Sequence, residues 1–564
     1  MSTSPKVSFG LYNLEISHDS TPSTESALQP FSKVMDLKTG NVTGVTYATY
    51  EPDFWLLDGG YKFLLENEAA VHVGLMSSEM SDENGDFANE PVLTVNFGSI
   101  HSSDGLVLHF AQYSGDYADS ITVSYYDNKD QLISSDVYAP DAWEYEIDKV
   151  VNNFNRLVIT FHSTNKPYRY LRLTAIDYGQ LIHFTADSIK ALTVEEQTDA
   201  ISTQVKVGAM DLALYSTDPE FSIVNPTGYY SRLSQRQPLS VYEIVNDLQI
   251  FMGRYYLETW KNASDTELNF ECIDAVGVLD RIPYHGGMWA YQGIKAQYLV
   301  DEIMQAAAIP YELDPDLYDV YVIGWIPLCS CREALQQVAF AIGGYVSCSR
   351  SNVVKIYKSP IITGSEPVIT VTNAQKSLDQ NLELKTLVTG VVITGHNYSE
   401  GSETVNLFEG VLAAGVYKIS FSEPAHTLSI SGAVVLFSNV NYAQIRVEIA
   451  GNVVITGLNY IDNQQEFSRR DLSLGSYVIE NILSVKEATL INAYNGPAVT
   501  ERVYNYYQQR YLQKFRLFGS ALEIGQIALV DSMNGSQIRG AVERNNIDLA
   551  GGFISQTEVV GVVE

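Results

Sequence analysis

Short alternating stretches recur through most of this 564-residue chain. In Ile121-Thr122-Val123-Ser124-Tyr125 one face is apolar and the other hydroxylic, the period-two pattern of a strand with one buried side. Further runs at 92–97, 106–110, 131–137, 143–147, 157–161 and 170–176 are separated by turn residues. That spacing predicts an antiparallel sandwich over about 46–180. Asp127-Asn128-Lys129-Asp130 reads as a hairpin turn, and Phe54-Trp55-Leu56-Leu57-Asp58-Gly59-Gly60 as a strand ended by glycines. The polar stretch 1–45, with Pro5, Pro22 and Pro30, predicts a strand or two with long connections.

Residues 183–290 stay strand-like, punctuated by Asp218-Pro219, Asn225-Pro226-Thr227-Gly228 and Pro238. Two helices follow. The first, 294–308, carries Tyr298, Leu299, Ile303 and Met304 on one face and stops before Pro310. The second has Ser330 as N-cap, Glu333 as its capping-box partner, an apolar stripe of Leu335, Val338, Ala339 and Ile342, and Gly343-Gly344 as its end. A strand at 353–358 comes next. Residues 386–460 return to β, with runs at 391–394, 417–421 and 453–458. Pro497 and Thr500 open a Tyr-rich helix with Val503, Tyr506, Tyr507, Tyr511 and Leu512 close to helical spacing. Strands at 527–530, 538–543 and 547–549 close the sequence. No repeat of solenoid length stands out.

Composition narrows function more than fold. There are 67 Asp+Glu against 35 Lys+Arg, a net charge of −32, yet charged residues are only 18% of the chain, against about 25% in average soluble proteins. The charge therefore comes from a shortage of Lys and Arg. A protein that coats nucleic acid needs a basic stripe, which this composition does not supply. With 46% hydrophobic and 11% aromatic residues the chain is no disordered acidic tail. Tyrosine dominates the aromatics, 37 against 21 Phe and 5 Trp, which suits half-buried strands and interfaces. Length suggests three or four domains. The start lacks a basic segment followed by an apolar run, so no signal peptide is expected, and no stretch reaches the ~18 apolar residues of a membrane span. Cys272, Cys329, Cys331 and Cys348 include a C-x-C but no C-x-x-C, and read as small buried thiols of a protein made in a reducing cytosol.

Catalytic signatures are missing: there is no G-x-S-x-G, H-E-x-x-H, P-loop or G-x-G-x-x-G. Glu195-Glu196 would point to opposite faces of a strand, a poor catalytic pair. Asp82-Glu83-Asn84-Gly85-Asp86 places oxygens of Asp82, Asn84 and Asp86 at alternate positions, which suits calcium, but the twelfth position of an EF-hand loop would be Leu93 rather than Glu. An ordinary acidic surface loop is the preferred reading. Trp55, Trp143, Tyr113 and Tyr117 are candidates for a sugar-stacking patch, set against the commoner role of such rings as sandwich core. No catalytic residue, cofactor or further metal ligand is expected, and the chain reads as a non-enzyme.

The order of segments carries a resemblance. Phe221-Ser222-Ile223-Val224-Asn225-Pro226-Thr227-Gly228, Gln237-Pro238-Leu239, Phe251-Met252-Gly253-Arg254-Tyr255-Tyr256-Leu257, Leu268-Asn269-Phe270-Glu271-Cys272-Ile273-Asp274 and Leu279-Asp280 resemble the first barrel of phage and tailocin baseplate hub and tail-associated proteins. The helix, Gly-Gly and strand of 327–357 look like that family's α/β module. Gly525-Gln526-Ile527, Arg539-Gly540 and Ile547-Asp548-Leu549-Ala550-Gly551-Gly552-Phe553 look like its second barrel. The resemblance covers roughly 183–380 and 480–564. Trp55-Leu56-Leu57-Asp58-Gly59, Thr94-Val95-Asn96-Phe97 and Gly105-Leu106-Val107-Leu108-His109-Phe110 resemble a discoidin-like, galactose-binding-type sandwich.

The resemblance implies a mainly β, multi-domain architecture of tandem hub β-barrels with a small α/β module and an inserted β-sandwich. The expected division is 1–45, N-terminal segment of the first barrel; 46–180, inserted sandwich; 181–290, first barrel; 291–380, α/β module; 381–480, second β insertion; and 481–564, second barrel. Hubs of this type are homotrimers that join a hexameric tail tube to a trimeric tip. The implied partners are further copies of the chain, a tail tube or distal tail protein, a tip or spike protein, the tape measure protein, and DNA that passes the channel without specific binding. The implied location is the virion tail tip or baseplate. A carbohydrate-binding tail-tip protein of a long non-contractile tail, with a cell-surface glycan as partner, is the alternative; a secreted glycosidase is disfavoured by the missing signal peptide.

Overall fold

In the computed structural model, described residues are 2–30, 32–35, 37, 49, 51–52, 74–111, 114–225, 228–229, 237–246, 248–307, 309–360, 362, 366–471, 473, 479–519, 521–533 and 535–564. The expected strand at 54–60, with Trp55, lies outside them, as do Tyr113, Pro226 and Thr227. The architecture is mainly β and multi-domain, with a β-sandwich region.

The sandwich faces two sheets. One runs Ser20–Ser23, Val92–Ser103, Val151–Thr164, Ala118–Tyr126 and Leu132–Tyr138 in spatial order. The other is built from Leu75–Met80, the first half of Tyr170–Thr185, Leu106–Phe110 and Glu144–Ile147. The sandwich thus takes a strand from well before residue 46. Ile121, Val123 and Tyr125 point into the core and Thr122 does not, as the alternation requires. Phe154 meets Phe97 and Tyr125 edge to face at centroid distances of 5.3 and 5.1 Å, geometry that aromatic quadrupoles favour. Asp127 shapes the expected hairpin by accepting from the amides of Lys129 and Gln131, both at 2.8 Å.

Strand Tyr170–Thr185 belongs to two units. Its first half pairs within the sandwich; its second half pairs with Thr3–Tyr12. The handover falls at Gly179, whose φ is +145° and where a Cβ would stand 2.1 Å from the Leu11 carbonyl oxygen. Only glycine fits that approach. From Thr3–Tyr12 the sheet continues through Pro238–Val245, Leu248–Ser264, Glu267–Ile273, Ala209–Tyr215 and Ile189–Gln197. Phe9, Phe184 and Phe270, from strands spread across this stretch, share one core with Leu192 and Val194. The sheet therefore curls around its interior as a first barrel.

A second barrel runs Lys376–Leu384, Tyr511–Phe518, Ile554–Val563, Gln537–Asp548, Ile527–Asp531 and Ile369–Val371 around Phe515, Leu517, Val530, Val542 and Val559. Its strand Gln537–Asp548 is continuous where the sequence suggested two runs. Tyr511 and Leu512 begin a strand rather than extend the helix: Gly496–Tyr507 ends at Gln508, and burial then alternates along Gln513, Phe515 and Leu517.

Between the barrels sits the α/β module. Helices Ala296–Ala307 and Cys331–Ile342 pack over Tyr311–Leu313, Gly344–Ser347 and Val354–Lys358, and Gly496–Tyr507, seated on Gly390–Gly395 and Gln465–Arg470, shares their core. The Ser330–Glu333 capping box forms in both directions and Gly343 closes the helix at φ +84°. In the first helix the buried stripe is Ala296, Leu299, Val300, Ile303, Met304 and Ala307. Tyr298 stands off this stripe by about one residue's rotation and is 60% exposed, contrary to its expected place on the apolar face. Cys272, Cys331 and Cys348 are buried free thiols; Cys329 is half-buried.

The region 390–485 forms a three-stranded base, Gln465–Arg470, Gly390–Gly395 and Ile482–Val485, carrying a small two-sheet sandwich. One of its sheets is Tyr398–Leu412, Gly451–Asp462 and Ala425–Ser431; the other is Gly415–Ser420, Tyr442–Val447 and Val434–Ser438. Asn441 ties it to the module: its Nδ2 donates to the carbonyls of His285 and Ile326, each at 2.9 Å, and its Oδ1 accepts from Trp325 Nε1 at 2.7 Å. Among the described residues no helix is long and apolar enough to cross a membrane.

Candidate functional site: sandwich loops and barrel joint

Four loops meet at the end of the sandwich remote from Gly179: 81–91, the described residues 111 and 114–117, 139–143 and 165–169, as the strand pairings dictate. Four of the sequence-selected residues gather there together with Trp143. Asp82 Oδ1 accepts from the Asn84 and Asp86 amides at 2.7 and 3.0 Å, and the Asp82 amide donates to the Asp86 carbonyl at 2.8 Å. The Asp82 carboxylate is thus engaged by its own loop's backbone, the turn-forming use of an aspartate. Among the described residues no group of three or more His, Cys, Asp or Glu could hold a metal. Tyr117 and Trp143 are half-buried and pack against the sandwich core. The Tyr117 amide is held by Asn165 Oδ1 at 3.1 Å, and the Trp143 carbonyl accepts from the Phe110 amide at 2.6 Å.

Cations brace these loops. Lys166 Nζ donates to Asp116 Oδ1 at 2.7 Å and to the Ser114 carbonyl at 3.0 Å, and Arg169 Nε lies 3.3 Å from Asp116 Oδ2. Nearby, Arg172 forks onto the buried Glu51 carboxylate, which also accepts from Thr49 Oγ1 at 2.7 Å. Burying a charge is costly unless it is paired, so three of the chain's few cations serve to rigidify this end.

The outer face of the second sandwich sheet packs on the first barrel. There His109, 8% exposed, has Nε2 at 2.9 Å from Asp177 Oδ2 and Nδ1 at 3.6 Å from Glu144 Oε2. Burial works against the imidazolium, but the bond and charge of Asp177, with Glu144 beyond, overcome it and raise the His109 pKa. From the barrel side, Arg254 of the Gly253–Leu257 segment lies within electrostatic reach of Asp177, beside Tyr12 and Tyr242. The sandwich therefore contributes acid to this junction and the barrel contributes base.

The barrels meet along a single strand. Residues 537–541 pair with Ile527–Asp531, and residues 544–548 pair on the same edge with residues 193–197 of the first barrel. Strand Ile554–Val563 runs along the other edge. Glu195 and Glu196 do diverge at this joint. Glu195 lies 2.5 Å from Arg544 on the outer side. Glu196, 1% exposed, turns in and receives Arg350 Nε and Asn545 Nδ2, both at 3.0 Å. Arg350 Nη2 and Asn545 Nδ2 also donate to the Leu522 carbonyl at 2.9 and 3.0 Å, and Thr557 donates to Asn545 Oδ1 at 2.8 Å. One buried cluster thus ties first barrel, module and second barrel together. Neither Arg350 nor Asn545 stands out in the sequence as a joint residue. The available signal is Arg350 within Cys348-Ser349-Arg350-Ser351, a cation directly after the buried strand Gly344–Ser347 in a chain that spends few cations.

The solved structures similar to this chain are phage tail and baseplate proteins, with carbohydrate-binding modules over part of it. A tail protein from Neisseria meningitidis MC58 is 9% identical with a TM-score of 0.40, covering 67% of this chain and 93% of its own. The prophage MuSo2 43 kDa tail protein from Shewanella oneidensis is 9% identical with a TM-score of 0.39, covering 68% and 95%. The family 32 CBM from C. perfringens NanJ, solved with galactose, is 9% identical with a TM-score of 0.20, covering 31% of this chain and 99% of its own. No protein-family model and no curated protein matches the chain.

Proposed function

We propose that this chain is a structural baseplate hub of a phage or phage-like tail, assembling as a homotrimer that joins the hexameric tail tube to a trimeric tip and lines part of the channel for tape measure and DNA. The observation that carries the reading is the fusion of two barrels through one strand, Gln537–Asp548, with a buried Glu196–Arg350–Asn545 joint. A rigid pair of barrels per chain lets three chains present six similar units to a hexameric tube. The sandwich and the 390–485 unit are peripheral additions in this reading. The proposed units keep the expected division, with the sandwich also recruiting Ser20–Ser23.

The charge supports the same reading. Three chains carry three times −32, or −96. A channel that passes DNA without holding it benefits from an acidic wall, because it offers no cations to replace the counterions of the phosphates. A neutral or basic lumen in the assembled ring would contradict this part. Light scattering of the purified full chain tests the assembly: the expected mass is about 188 kDa, three times 62.6 kDa, and a single-chain mass alone and with tail-tube protein counts against the hub.

The convergence of the 81–91, 114–117, 139–143 and 165–169 loops favours a second role, contact with a cell-surface glycan through Tyr117 and Trp143. A glycan array with the full chain tests it; binding that Trp143→Ala leaves unchanged removes that site.

A further inference from the structure

Strand Gln537–Asp548 changes partner around a single residue. Up to Ala541 one edge pairs with Ile527–Asp531 of the second barrel, and from Arg544 onward the same edge pairs with residues 193–197 of the first. Glu543 lies at the change. On the opposite edge it is the extra residue of a bulge, because Val542 pairs with Val559 and Arg544 with Glu558. A bulge interrupts the ladder, bends the strand and re-aims a side chain. The Glu543 carbonyl still accepts from the Thr198 amide at 2.9 Å, which carries the seam one residue past Gln197.

The Glu543 carboxyl, half-buried, is met from three sides. From the helix Gly496–Tyr507, Tyr506 Oη donates to its Oε1 at 2.8 Å, with Tyr507 packed edge to face on Tyr506. From the segment after the first-barrel strand comes Asp199, whose carboxylate is fixed by the Ile201 and Gln204 amides at 3.1 and 3.2 Å. From the second barrel come Glu558 and Lys385, the latter with Nζ 5.6 Å from the centre of the Tyr506 ring. The adjoining Arg544 is turned to Glu195 and Glu558. Burial is the main influence on Glu543; Asp199 and Glu558 add to it, Lys385 and the Tyr506 bond oppose it, and the pKa is pushed up to about 7.

We propose that Glu543 is a pH-sensitive fastener of the two barrels: protonated, it lets the shared strand pass the bulge with both ladders closed; ionised, it opposes Asp199 and Glu558 across the joint and loosens the seam. A carboxyl whose pKa is raised in the closed seam favours closure below its free value and loses that benefit as pH rises through about 7. With a free value of 4.5, the seam should open about tenfold more often at pH 8.5 than at pH 6. The device lies within one chain, so it stands whether or not three chains assemble.

The test is amide exchange of the full chain by mass spectrometry at pH 6 and pH 8.5, each rate divided by that of the free peptide at the same pH. Residues 157–161 of the sandwich, remote from the seam, serve as the internal reference. The expected result is a fall of about tenfold in the protection of residues 193–198 and 544–548 at pH 8.5 with the reference unchanged, and no such fall in Glu543→Gln. Equal protection at the two pH values in the unsubstituted chain overturns the proposal, and so does a fall that persists in Glu543→Gln. Lys385→Met, which removes the cation favouring the ionised carboxylate, should move the fall to higher pH; a fall that stays in place or moves lower also overturns it.

Discussion

Replacing Glu196 by alanine should loosen the seam between the two barrels. The carboxylate receives Arg350 Nε and Asn545 Nδ2 at 3.0 Å each, and its removal leaves a guanidinium whose side chain is only 12% exposed facing an empty space. Breaking a buried pair from one side costs about 3–5 kcal/mol, chiefly because the remaining charge is stranded. Both donors keep the Leu522 carbonyl, so the lower half of that range applies. Global unfolding of so large a chain is not two-state, so the assay is hydrogen exchange at amides of residues 193–197 and 544–548, whose pairing makes the seam. A loss of about 3–4 kcal/mol corresponds to exchange roughly 140- to 700-fold faster if opening passes through the seam, at about 1.4 kcal/mol per tenfold. The paired change Glu196→Met with Arg350→Met removes both charges and should cost much less than Glu196→Ala alone. Less than tenfold acceleration in Glu196→Ala, or a double variant worse than the single, would refute the reasoning.

Gly179→Ala should destabilise the passage between sandwich and first barrel by more than the roughly 1 kcal/mol of a left-handed alanine, because the methyl would stand 2.1 Å from the Leu11 carbonyl oxygen; a lowered first thermal transition checks it. Glu243 is fully buried, its two oxygens lack well-formed hydrogen bonds, and burial pushes its pKa up to about 7, with only the Ser4 amide pulling the other way. A carboxyl raised in the folded state favours folding below its unfolded value and loses that benefit as pH rises through about 7, so Glu243→Gln should gain about 1–3 kcal/mol at pH 8 and close to nothing at pH 4, read by denaturant midpoints. Asp82→Ala should cost about 1 kcal/mol through loss of its turn bonds, equally with and without added calcium; a loss seen only with calcium would show a metal role. Ser330→Ala should cost about 1 kcal/mol through the capping box, measured as the melting shift of the module.

Local signals were the legible ones. The capping box at Ser330, the hairpin at Asp127 and the alternation at 121–125 depend on neighbours in sequence, and each forms as read. Spacing alone misplaces Tyr298, Tyr511 and Leu512, because a near-helical interval does not reveal which side of the stripe a residue occupies, nor that a turn intervenes. The single strand Gln537–Asp548 reads as two because Arg544-Asn545-Asn546 interrupts its apolar runs; main-chain pairing across the joint carries the strand through, with Asn545 alone of the three buried. Glu196, Arg350 and Asn545 are up to 349 residues apart, and no local pattern announces a contact of that range.

The most direct test of the central claim is imaging the purified full chain, alone and with its tail-tube partner. The account predicts three-fold rings in which six barrels surround an open, acidic lumen and the sandwiches project outward. Isolated single chains under both conditions, or rings lined by the sandwiches instead of the barrels, would contradict it.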